Sequence, residues 1–121
     1  MKQALSAIFV IFAFGQFCYM DVPWWTVAPL AAVAGWLFPQ SAGRSFLSGF
    51  TGGFLLWLVG AWWFDVANGQ VLSHRVGLLF MGQAPLVILL ITGLLGGLLG
   101  GLGCLTGRWA RDLVIQPAKT P

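Results

Sequence analysis

Apolar residues in this chain run on continuously, without the one-sided alternation of a soluble helix. Unbroken apolar stretches occupy about residues 4–20, 23–38, 45–64 and 85–107. They are separated by the turn DVP, the short segment QSAGR and a longer connection over residues 66–84. A bilayer core is crossed by roughly 20 apolar helical residues, so the last two runs are long enough and the first two slightly short. Modest thinning, or aromatic flanks seated at the interface, absorbs such a deficit. The pattern therefore predicts an all-α integral membrane protein with four transmembrane helices in an antiparallel bundle. Those spans form one domain over residues 1–111, followed by a flexible cytoplasmic tail over 112–121.

The connection between the third and fourth spans opens on an Asn68-Gly69 turn signal. Its middle, VLSHRVGLLFM, is too apolar for a solvated loop and too short to span. It predicts a short outer interfacial helix within residues 70–82, lying on lipid or packed on the bundle. A lysine, Lys2, precedes the first run, which carries small residues at Ala13 and Gly15, as a signal peptide does. Because it stays apolar through Phe17 and Met20, an uncleaved span is the expectation.

The fourth run reads TGLLGGLLGGLGCLTGR over residues 92–108. Each glycine inside a soluble helix costs roughly 0.5–1 kcal/mol relative to alanine, so this density needs compensation. At about 100° per residue, Gly93, Gly96, Gly97, Gly100, Gly101, Gly103 and Gly107 fall within an arc of about 160°, and the leucines take the opposite side. Smaller stripes recur as Ala28, Ala31, Ala32 and Gly35 in the second run, and as Ser45, Ser48, Gly49, Gly52 and Gly53 in the third. Small residues at this spacing let helix backbones approach closely, which gains dispersion contacts where lipid supplies no hydrophobic drive. The third and fourth spans are expected to meet through these faces, with Trp57, Trp62 and Trp63 filling a wider outer half. The arc is wide for one helix, so a partner protein or a second copy could share it.

Composition sharpens this picture. The chain is 59% hydrophobic and 7% charged, against about 25% charged in a soluble domain. Its six basic residues are dispersed, which excludes a nucleic-acid surface. With a cytoplasmic N-terminus, Lys2, Arg44, Arg108, Arg111 and Lys119 lie inside and Arg75 outside, satisfying the positive-inside rule. Both termini are then cytoplasmic, in a bacterial-type inner membrane. Cys18 and Cys104 fall in opposite leaflets and cannot bridge.

Candidate chemistry is sparse. None of the apolar runs contains an acidic or basic residue, although intramembrane catalysis and ion transport usually need one. Serine and threonine can bond their own helix carbonyls. Gln16 is expected to hold another helix or line a polar path; His74 and Arg75, near the depth of Asp21 and Asp65, form the other possible polar site. No catalytic, cofactor or metal residues are expected. The reading is a non-enzymatic accessory, assembly or scaffold subunit whose partners are the lipid bilayer and other membrane subunits or copies of itself. The alternative is a small homo-oligomeric channel or transporter.

Overall fold

The structure is a computed structural model and describes residues 1–115. All its elements are helical: α1 (Lys2–Gly15), α2 (Val27–Leu37), α3 (Ala42–Ala67), α4 (Val71–Leu79) and α5 (Pro85–Ile115). A 3-10 segment, Gln16–Tyr19, prolongs α1, and another, Trp24–Thr26, leads into α2. Three helices are long and apolar enough to cross a membrane: Lys2–Tyr19, Ala42–Ala67 and Pro85–Ile115. The second expected span is shorter, an apolar helix over Trp24–Leu37. Prolines set its limits. Pro23 stands in an extended conformation just ahead of it, and Pro39 disfavours the helical conformation at Phe38, whose ψ is 88°.

The long helices also overrun the apolar stretches. α5 continues past Gly107 to Ile115, so Asp112–Ile115, expected in the tail, are helical. An ion pair at 3.2 Å joins Arg108 to Asp112 one turn on, tying that last part together. The expected flexibility of residues 116–121 lies outside the described residues.

α3 and α5 make the closest packing. An added Cβ on Gly53 would strike the carbonyl oxygen of Gly96, and one on Gly49 or Gly100 would strike the carbonyl of the other. Backbone lies on backbone there. Beside this seam Phe46, Phe50 and Phe54 project from successive turns of α3, their ring centroids 6.0 Å apart at each step. They lie over Gly101, Gly97 and Gly93 respectively. The flat strip of glycine thus supplies room for an aromatic ladder, whose large contact area compensates for the missing side chains.

The remaining glycines of α5 turn to α2. Gly103 meets the carbonyl of Ala28 and the methyl of Ala31, Gly107 meets the carbonyl of Ala32, and Gly35 meets the carbonyl of Cys104. A wide arc is therefore covered by two helices of this same chain. α1 also contributes to the core through Ala7 and Ile11, which cluster with Ala31, Ala34 and Cys104. Its outer side leaves Leu5, Phe9 and Phe14 exposed. Trp62 and Trp63 do not fill an inner space; they are 53% and 67% exposed, and only Trp57 turns inward, edge-on to Trp24 at 6.4 Å.

Glycine positions provide a calibrated test of this packing. Gly43, in the first turn of α3, has open space where its Cβ would be, so Gly43→Ala should be neutral or stabilise by about 0.5 kcal/mol. Gly100→Ala forces α3 and α5 apart and should destabilise by about 1–3 kcal/mol. Thermal unfolding in detergent, followed by tryptophan fluorescence, reads both. Equal midpoints for the two variants would contradict the seam.

Candidate functional site

The polar side chains are distributed in three places: the α3–α5 seam, the turn around α4, and a cleft at the end of the bundle where α1 and α3 begin and α5 finishes.

At the seam, Ser45 and Ser48 are buried. Ser45 Oγ donates to the Cys104 carbonyl at 3.3 Å and lies 3.4 Å from Cys104 Sγ. Ser48 Oγ donates within its own helix, to the Arg44 carbonyl at 2.9 Å or the Ser45 carbonyl at 3.1 Å. It also accepts from Gln40 Nε2 at 3.3 Å. Thr51, Thr92 and Thr106 each donate to the carbonyl four residues back. Short hydroxyl side chains reach such carbonyls readily, so these groups are satisfied by local backbone and none opens a continuous polar track.

Gln16 departs from the interhelical role expected of it. Its Nε2 donates to the Phe12 carbonyl at 3.1 Å, one turn back in its own helix. A half-buried amide near a helix end finds that carbonyl at no cost in chain ordering, so it needs no distant partner. The polar contact between α1 and α3 comes instead from Tyr19, whose hydroxyl donates to the Leu56 carbonyl while its ring covers Gly60. Sequence reasoning missed this contact; the single tyrosine and the isolated Gly60 are its only traces in the sequence.

Around α4, Asp65 is buried and turned toward the helix start. Its Oδ1 accepts from the Ser73 backbone N–H at 3.3 Å, and its Oδ2 accepts from Ser73 Oγ at 2.8 Å. Its own carbonyl accepts from the Gln70 N–H at 2.8 Å. A carboxylate at the first turn of a helix serves there as a cap, satisfying a donor that has no intrahelical partner. Two consecutive left-handed residues precede the helix, Gly69 at φ 66° and Gln70 at φ 61°, and reverse the chain tightly enough to bring α4 back onto Asp65. His74 and Arg75 are exposed. Asp65 does not pair with them, because its oxygens are already taken by Ser73.

The cleft is lined by Gln3 and Ala4 of α1, Gln40 before α3, Arg44 of α3, and Arg108 and Arg111 of α5, with a volume of about 410 Å³. Asp112 is its single carboxylate among the described residues, and that group is paired with Arg108. Sequence spacing could not reveal this group, since Arg44 and Arg111 are brought together only by the fold.

The glycine, alanine and serine positions of the sequence-derived faces all lie between helices: Gly49, Gly53 and Ser45 toward α5, Gly52 toward Ile11 of α1, and Ala28, Ala32 and Gly35 toward α5. Among the described residues, no group of three or more His, Cys, Asp or Glu gathers in a way that could hold a metal ion. Both cysteines are free.

Removing the cap on α4 gives a local prediction. Asp65→Ala should cost about 1 kcal/mol and raise amide exchange over Val71–Leu79, with α3 and α5 unaffected away from that end. Hydrogen exchange with mass spectrometry reads this. Unchanged protection of α4 would show that the carboxylate does not hold it.

No protein family matches the chain, and neither curated proteins nor solved structures give a match to it.

Proposed function

We propose that this is a small multi-pass protein of a bacterial-type inner membrane. It serves as a non-enzymatic accessory, assembly or scaffold subunit of a membrane complex. In this reading α1, α2, α3 and α5 form an antiparallel four-span bundle, α4 lies at the outer interface, and both termini are cytoplasmic. The register supports the antiparallel arrangement, since rising positions 46, 50 and 54 of α3 meet falling positions 101, 97 and 93 of α5. Charge supports the orientation: Arg44, Arg108 and Arg111 gather at one end, and Arg75 stands on α4. Exposed Trp36 and Trp109 near that end, and Trp24, Trp25, Trp62 and Trp63 near the other, suit two interfacial belts.

The observation that carries the functional reading is the close packing of the α3–α5 seam. Every hydroxyl near the α3–α5 seam is turned onto a carbonyl, and the space between these two helices is filled by backbone and aromatic side chains. Among the described residues the α3–α5 seam offers no open polar track, which supports a subunit over a channel. The surface has the opposite character. Leu94, Leu95, Leu98 and Leu102 of α5 and Phe9 and Phe14 of α1 are exposed along the flanks, where they can meet acyl chains or the helices of another subunit.

Two measurements test the proposal. Native mass spectrometry of the complex, gently extracted from its own membrane, should find the chain with different proteins in a fixed ratio. Liposomes carrying the purified chain should show the same ion and small-solute permeability as empty ones. A closed ring of identical chains that raises flux would overturn the subunit reading in favour of a channel.

A further inference from the structure

The arginine cleft has no part in the packing that holds the bundle together, and its composition is one-sided. Three guanidinium groups, Arg44, Arg108 and Arg111, face one carboxylate. Asp112 is occupied by Arg108 at 3.2 Å, and among the described residues Arg44 and Arg111 have no acidic partner. Like charges gathered from separate helices repel, and in the absence of a counter-charge their side chains would be more favourably placed apart. Arginine is the side chain whose planar fork matches a phosphate in a bidentate manner. A polar group in the wall is also unfulfilled: the amide oxygen of Gln40 is buried without a hydrogen-bond partner, although its Nε2 is bonded to Ser48. The Gln40 amide thus has hydrogen-bonding capacity to spare in the wall of the cleft.

A second hollow adjoins the first. It has a volume of about 270 Å³, shares Met1, Ala4 and Arg44 with the arginine cleft, and continues between α1 and α3 past Ile8, Leu47 and Thr51. Thr51 donates to its own helix and so presents little polarity to this groove. A charged cleft leading into an apolar groove is a head-and-tail arrangement. A free phosphate would use the first and leave the second empty.

We propose that these adjoining hollows form a binding site for an anionic phospholipid. Its phosphate lies among Arg44, Arg108 and Arg111, its headgroup hydroxyls are near Gln40, and the start of one acyl chain lies in the groove of Ile8 and Leu47. Phosphatidylglycerol has this chemistry: a phosphodiester anion with glycerol hydroxyls on one side and acyl chains on the other. The site rests on the membrane reading given above and adds to it a specific lipid at the basic end. It supplies the missing counter-charge for the arginines and links α1, α3 and α5 where they meet the headgroup layer.

The test is native mass spectrometry of the purified chain in detergent, titrated with dioctanoyl phosphatidylglycerol, dioctanoyl phosphatidylcholine or glycerol 3-phosphate. The glycerol lipid should be retained at least about tenfold better than either of the others, since each arginine near an anionic headgroup contributes a sizeable attraction. Arg44→Gln, and Arg111→Gln made separately, should each lose several-fold of that retention. Arg44 is exposed and its guanidinium makes no ion pair among the described residues, so its replacement breaks no ion pair there. Arg75→Gln, on α4 away from the cleft, should leave retention unchanged. Equal retention of the choline lipid, equal binding of glycerol 3-phosphate, an unaltered Arg44→Gln variant, or the same loss in Arg75→Gln would each overturn the site. Release of the chain from membranes by alkaline carbonate is a separate readout: it would overturn the membrane reading itself, whereas a carbonate-resistant chain indifferent to lipid headgroup would overturn the lipid site alone.

Discussion

The contact between the backbones of α3 and α5 at Gly49, Gly53, Gly96 and Gly100 is the constraint on which the rest of the bundle depends. Carbonyl oxygens stand where side chains would otherwise be. At such separations dispersion acts between many backbone atoms at once, and weak Cα–H to carbonyl contacts add to it. Under the membrane reading this is the main means of association available, because hydrocarbon solvates leucine as well as another helix does. The cost of glycine in a helix is also lower there. Helical hydrogen bonding is enforced by the absence of water, so the freedom that glycine would have in an unfolded aqueous chain is not available to oppose it.

From that seam the other packing follows. Holding α3 so close to α5 leaves a shallow strip beside it, and Phe46, Phe50 and Phe54 fill the strip as a stack over Gly101, Gly97 and Gly93. On the other side, Gly103 and Gly107 accept α2 against the same helix, and Cys104 becomes the point where α2, α3 and α5 meet: its carbonyl touches Gly35 and accepts from Ser45. α1 then closes the bundle over Gly52 with Ile11, and the tyrosine that follows it, Tyr19, covers Gly60. Leu56 takes part in both polar and apolar sides of that closure, since its side chain occupies the space beside Gly15 and its carbonyl accepts from Tyr19.

The helices and the small-residue faces were legible in the sequence because both depend on local periodicity. Apolar runs mark helices, and a 3.6-residue period places seven glycines on one side of α5 without any knowledge of what lies there. Division of that side between two helices was not legible, since Gly93 and Gly107 differ only in depth and the identity of the neighbour is a tertiary fact. The aromatic ladder was written at four-residue spacing in Phe46, Phe50 and Phe54, but a bulky i, i+4 row on a membrane helix reads equally well as a lipid-facing row. Gln16 misled because it was assigned a partner on another helix and found a closer one, the Phe12 carbonyl. Local backbone competes first for short polar side chains. The arginine cleft was hidden because its residues come from positions 44, 108 and 111, where they serve equally well as scattered markers of topology.

These features divide the molecule by depth. The middle is closed by glycine and phenylalanine and carries no acidic or basic side chain. Recognition is thereby confined to the flanks and the two ends, and the ends differ: one gathers guanidinium groups around a cleft, while the other presents exposed tryptophans and the helix α4 capped by Asp65. α4 itself is bonded to the bundle on one side only, with Leu72, Leu78 and Leu79, and Met81 just beyond it, left exposed. Under the proposed reading, a protein so built acts by its fixed shape: an apolar flank offered to neighbours and a basic end offered to headgroups, with the tight α3–α5 seam holding both in place.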